Sequence, residues 1–174
     1  THNYWKKSQE EIQMDIEKPG KGYNHFLKKR DIKNFLEILP NRSEIDIEFN
    51  AVLLARGSNY TDGWYYKGVI AICAWEKEMT REFNMSYFYA HKNIFDRLGV
   101  IHTIRKTYVI CDFTENQIKA YLLLHILLHE IGHHHDRINT KSKKRCSKGE
   151  EYAESYALKY EKIIWNKYFE VFEV

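Results

Sequence analysis

The sequence predicts an α+β fold. Three observations predict it. Short apolar runs bounded by turn residues fill the middle of the chain, Asp62-Gly63 is a tight-turn signal among them, and two capping boxes open long helical segments near the end. The 174 residues suit one domain, or one domain with an arm. Hydrophobic residues make up 44% and charged residues 29%, which is enough to build a core and too apolar for a disordered chain.

Taken in order, residues 3–18 read as a charged, weakly amphipathic helix, broken by Pro19-Gly20-Lys21-Gly22. The expected division is therefore an N-terminal helical arm over residues 1–22 and a single domain over 23–174. A helix is expected at about 31–39, with Asp31 as its N-cap and Pro40 as its stop. Val52-Leu53-Leu54-Ala55 reads as a strand. Trp64 to Trp75 reads as one or two strands bent at Lys67-Gly68, with a buried run from Val69. Residues 80–98 are expected to be helical, ending at Gly99, and 106–111 to be a strand. One helix should start at the box Thr114-Glu115-Asn116-Gln117 and run to about Asp136. The last should start at the box Ser147-Lys148-Gly149-Glu150 and run to about Tyr168.

Composition narrows the function classes. The net charge is +3, from 27 basic and 24 acidic residues, so no nucleic-acid partner is expected. The run Lys141-Ser142-Lys143-Lys144-Arg145 reads as a solvated loop. No segment is long and apolar enough for a membrane span, so no membrane partner is expected. The three cysteines, Cys73, Cys111 and Cys146, are widely spaced and odd in number. That is the pattern of reduced thiols, and the expected location is the cytoplasm. The 13 Tyr, 9 Phe and 4 Trp are expected mainly in the core, with some available to line a cleft.

The chemistry concentrates on one helix. Ala120 to Leu128 carries no charge, and a helix that is apolar all round is buried. His129, Glu130, His133, His134, His135 and Asp136 follow directly. Burying such groups costs several kcal/mol unless they are paired or bound to an ion. Residues four apart on a helix lie about 40° apart around its axis, so His129 and His133 can reach one ion. Glu130 is turned about 100° from His129 and can reach a water on that ion. Imidazole pairs suit zinc, and three protein ligands plus a water make a catalytic zinc site.

A third ligand has to come from elsewhere. Glu150 and Glu154 lie one turn apart on one helical face, with small Ala153 and Ala157 allowing close approach. Glu150 as ligand and Glu154 as acceptor from a ligand imidazole would complete the site. Glu154 and Glu151 are the other candidates for the third ligand.

With these residues the stretch from about Thr114 to Tyr160 resembles the zincin metallopeptidases, in particular the gluzincin branch. There H-E-x-x-H is followed by a helix bearing a Glu ligand, and Glu150-x-x-Ala153-Glu154 looks like the family's E-x-x-A-D with Glu in place of Asp. The resemblance implies a zincin-like fold, in which a mixed sheet packs on the active-site helix, an edge strand flanks the cleft and a C-terminal helix supplies the third ligand. It implies one zinc ion on His129, His133 and Glu150. It also implies Glu130 as general base of a peptidase that cleaves a peptide or protein substrate with a zinc-activated water. Tyr152, Tyr156, His134 and His135 are candidates for stabilising the oxyanion. The chain departs from the gluzincin pattern at His134 and His135, where apolar residues are usual. Asp136 and Asn139 exclude the extended metzincin motif.

Two alternatives remain at this stage. His125-x-x-Leu128-His129-x-x-Gly132-x-x-His135 is similar to the motif of a bacterial metal-dependent endoribonuclease family, which implies His125, His129 and His135 as ligands. Against it, Ile126, His133 and His134 replace motif residues. The other alternative is a non-catalytic domain in which zinc only joins two helices.

Overall fold

Two runs of small and branched apolar residues make the centre of the main sheet. The computed structural model describes Tyr4, residues 11–140 and residues 148–172. Strands β3 (Ala51–Ala55) and β5 (Val69–Cys73) are buried at every position, as expected for parallel strands covered on both faces. β1 (Gln13–Ile16) pairs parallel with β3, and β4 (Gly63–Tyr66) pairs antiparallel with β5, giving the order β1-β3-β5-β4. Lys67 and Gly68, both at positive φ, make the bend between β4 and β5. β2 (Tyr23–Asn24) pairs with β6 (Trp75–Glu76). β7 (Thr80–Asn84), β8 (Ile101–Ile104) and β9 (Tyr108–Asp112) form a second antiparallel sheet in the order β7-β9-β8.

The helices are α1 (Lys29–Glu37), α2 (Arg42–Ile45), α3 (Met85–Leu98), α4 (Glu115–Tyr121), α5 (Leu128–Ile138) and α6 (Gly149–Phe172). A π-helical segment, Leu122–Leu127, joins α4 to α5 and is buried at all six positions. The charge-free run thus lies in the core as expected. Ile118, Leu123, Leu124, Leu127 and Ile131 are fully buried, and each large apolar side chain taken out of water contributes roughly 1.5–3 kcal/mol. The segment packs on β5, and α5 lies along α6.

The α+β class and the expected strands near 52–55, 64–75 and 106–111 are present, as are the helices at the end. The Thr114 box forms, with Gln117 N–H donating to Thr114 Oγ1 at 3.2 Å and Thr114 N–H to Gln117 Oε1 at 2.9 Å. Three expectations are corrected. Gln13–Ile16 is a strand rather than part of a helix, because β3 offers it a parallel partner from Ala51 to Leu54. The described part of residues 1–22 is therefore joined to the main sheet and is not a helical arm. Thr80–Asn84 is a strand rather than the start of a helix, because each of its residues pairs with β9; Asn84 then caps α3 by accepting from Tyr87 N–H at 2.7 Å. Asp31 is not the N-cap of α1. It lies in the first turn, accepting from Lys28 N–H at 2.8 Å. Residues 1–3, 5–10, the basic run at 141–145, Cys146 and the Ser147 half of the second capping box lie outside the described residues.

Candidate metal centre

The close approach of α5 and α6 builds the centre. Gly132 faces Ala153, and both are buried without room to spare. A Cβ at Gly132 would meet Ala153 Cα at 2.9 Å, Ala153 O at 3.0 Å and Tyr156 Cβ at 3.0 Å. Asp136, near the end of α5, locks the start of α6. Its buried carboxylate accepts the backbone N–H of Lys148 at 3.0 Å and of Gly149 at 3.1 Å. These two devices bring Glu150 and Glu154 over the histidines of α5.

His129 Nε2 lies 2.8 Å from Glu150 Oε2, and His133 Nε2 lies 2.9 Å from Glu150 Oε1. On its other side, His129 Nδ1 lies 2.8 Å from Glu154 Oε1. A neutral imidazole carries one proton. With Nδ1–H of His129 donated to Glu154, its Nε2 lone pair points at a carboxylate oxygen, an arrangement that needs a proton or a cation between the two. The donor set of two imidazoles and one carboxylate fits a zinc-class ion. An oxygen of Glu130 lies within 4.8 Å of ring nitrogens of both histidines. Glu151 is exposed and, unlike Glu150 and Glu154, does not line the cleft.

Electrostatics follow burial and pairing. Glu130 is 6% exposed, and burial pushes its carboxyl up to about 7. Burial tends to lower the pKa of His129, but its hydrogen bond to Glu154 and the charges of Glu130, Glu154 and Glu150 raise it overall. Burial lowers that of His133 despite Glu150. Burial acts to raise the pKa of Glu154, but hydrogen bonds from His125 and His129 hold it well below the usual carboxylate range.

The centre opens into a cleft of about 900 Å³. Edge strand β4 forms one wall. Gly63 passes directly over the site, and a Cβ there would meet Ala71 O at 2.8 Å, Ile126 Cγ2 at 2.9 Å and Glu130 Cγ at 3.4 Å. Tyr60 is 96% exposed at the rim and Trp64 lines the same wall. Arg81 pins the rim by donating to both oxygens of Asp62 at 2.8 Å while stacked 3.4 Å over Trp75.

No protein family, curated protein or solved structure shows a significant match to the chain. What can be said of the site therefore rests on its own residues.

The remaining histidines separate by role. His134 is fully buried and faces away from the cleft. Its Nε2 lies 2.9 Å from the carbonyl oxygens of both Ile45 and Ile47, so Nε2 carries the proton and Nδ1 accepts from Tyr65 Oη at 2.7 Å. His135 Nδ1 meets Tyr152 Oη at 2.6 Å. His135, Tyr152 and Tyr156 line a different cavity, on the other side of α5 and α6. None of the four expected oxyanion stabilisers thus lines the cleft, because each lies on a helical face turned from Glu130. His125 does not converge with His135 either. It is buried beside Glu154, with Nε2 3.2 Å from Oε1.

Sequence reasoning missed His91 and Arg81, and it named Asp136 without its role at the start of α6. His91 is a single histidine on α3, with no spacing signal. Asp136 and Arg81 act through contacts with chain segments that no local pattern identifies.

Proposed function

We propose that this chain is a metal-dependent hydrolase, best read as a zinc peptidase of gluzincin type with a zincin-like arrangement of sheet and helices. The observation that carries the reading is the meeting of His129 Nε2, His133 Nε2 and the Glu150 carboxylate at one point, with Glu130 beside it at the floor of an open cleft. His129, His133 and Glu150 would hold the ion. Such an ion would polarise a carbonyl and make a water acidic enough to lose a proton near neutral pH.

The chain's own groups do the rest. Glu130 takes a proton from the attacking water and delivers it to the leaving amine. Glu154 holds His129 in one tautomer and orientation through Nδ1. Among the described residues β4 ends the main sheet, antiparallel to β5, and Gly63, Trp64 and Tyr65 line the cleft. The endoribonuclease reading needs His125, His129 and His135 on one ion, and His135 lines another cavity. No helix among the described residues is long and apolar enough to cross a membrane.

Glu130→Gln tests the reading. It keeps the shape of the site and removes the proton acceptor. Zinc content should stay near one ion in the tight site, while cleavage of a broad peptide and protein panel falls at least about a hundredfold. Full activity in this variant would overturn the mechanism. Activity absent from both proteins would favour a zinc that only joins α5 to α6.

A further inference from the structure

We infer that the cleft holds a second ion site, formed by His91, His125 and Glu154. The three residues come from α3, the π-helical segment and α6. Each presents one donor atom, and the three atoms lie within 4.8 Å of one another. His91 Nδ1 lies 2.8 Å from the Tyr87 carbonyl oxygen. A carbonyl only accepts, so Nδ1 carries the proton and the Nε2 lone pair is free to bind. It faces Glu154 Oε2 at 3.9 Å. His125 Nε2 lies 3.2 Å from Glu154 Oε1. Ligand bonds of about 2.0–2.1 Å in a tetrahedral zinc site put neighbouring donors roughly 3.3–3.5 Å apart. The His125 separation is close to that spacing and the His91 separation is somewhat longer, each reaching a different oxygen of Glu154.

Charge and access support the site. The Glu154 carboxylate is anionic, and three imidazoles surround it: His91, His125 and His129. His129 needs only one hydrogen bond to it, donated from Nδ1. As a ligand through Nε2, His125 would exchange its hydrogen bond to Glu154 for the ion and carry its proton on Nδ1, which is buried with no hydrogen-bond partner among the described residues. His91, His125 and Glu154 line both the main cleft and an adjoining cavity of about 350 Å³. An ion can enter there and complete its coordination with water. Two imidazoles and one carboxylate select zinc, cobalt or nickel over magnesium or calcium. The site does not rest on the peptidase reading. It shares with the first centre only Glu154, which would bind one ion and orient an imidazole of the other.

The test counts ions. The chain is stripped with chelator and titrated with zinc, and bound metal per chain is measured after gel filtration. Cobalt absorption gives a second readout of the same titration. The parent chain should bind two ions, His91→Ala one, His133→Ala one, and the double variant none. Magnesium in excess should displace neither. His91 stacks on Tyr87 at 3.9 Å between ring centres. Should His91→Ala fail to fold by circular dichroism, His91→Phe keeps that packing and removes the ligand. A parent chain that saturates at one ion overturns the second site, as do two ions in the His91 variant or the loss of both from it. Two ions retained in His133→Ala, with one in the His91 variant, would instead sink the first site and leave the second standing.

Discussion

His129 Nδ1 and Glu154 Oε1 lie 2.8 Å apart, joining α5 to α6 one turn beyond the point where Glu150 reaches the opposite nitrogen of the same ring. One imidazole is thus held between two carboxylates of one helix. Only the nitrogen facing Glu150 has its lone pair directed into the candidate centre.

This relationship predicts unequal effects for the two glutamates. Glu150→Ala should remove a ligand and abolish tight zinc binding at the first centre. Glu154→Ala should leave an ion there, weakened on the order of 10–100-fold, because the ring loses its orienting acceptor. Chelator competition measures both. Metal lost from the Glu154 variant and kept in the Glu150 variant would put the ligand one turn further along α6.

A tight contact should control assembly of the centre from a distance. Gly132→Ala places a methyl 2.9 Å from Ala153 Cα, so α6 has to move away from α5. Overpacking of this kind costs about 1–3 kcal/mol. The variant should unfold at lower denaturant concentration with chelator present and should bind zinc at least about tenfold more weakly. Unchanged stability and affinity would show that the helices can separate at no cost to the site.

Neighbouring histidines on α5 should behave oppositely. His133→Ala should lose the first-centre ion, and His135→Ala should keep it, since His135 contacts Tyr152 and approaches Glu44 across a separate cavity. Metal counting in each variant distinguishes them. The reverse result, together with RNA cleavage by the parent chain, would favour the endoribonuclease frame.

Acid should destabilise the fold through His134. Burial pushes its pKa down to about 4 from an ordinary 6.5, and its hydrogen bonds to the Ile45 and Ile47 carbonyls only partly offset this. Above pH 6.5 it is neutral in both folded and unfolded chains, and its contribution is fully present. Below pH 6.5 the unfolded chain takes up a proton that the folded chain refuses, so stability falls until about pH 4. The loss between pH 7 and pH 5 should be roughly 2 kcal/mol. Denaturation with chelator present should show a shallower pH slope for His134→Gln than for the parent. Equal slopes would refute the assignment.

What was legible in the sequence was local. Burial of the charge-free run, the stripe joining His129 to His133 and the Thr114 capping box depend on residues three or four apart on a helix. That spacing fixes which side chains share a face whatever else the chain does. The glutamate pair on α6 was legible for the same reason, and with it the prospect of one carboxylate as a ligand and the next as acceptor from a ligand imidazole; that both meet His129 was not. Strands β1 and β7 were not. Their short segments take extended structure because β3 and β9 supply hydrogen-bond partners from distant parts of the chain, and intrinsic preference yields to such pairing.

Tertiary structure alone decided the rest. It set which faces of α5 look into the cleft, turning His134 to the carbonyls of Ile45 and Ile47 and His135 to Tyr152. It placed Asp136 under the first N–H groups of α6 and brought His91 of α3 beside Glu154. A helix repeats every 3.6 residues regardless of its surroundings, so its stripes can be read in advance. Which stripe meets which neighbour depends on contacts between segments tens of residues apart, here closed by two residues with no room to grow, Gly132 and Gly63.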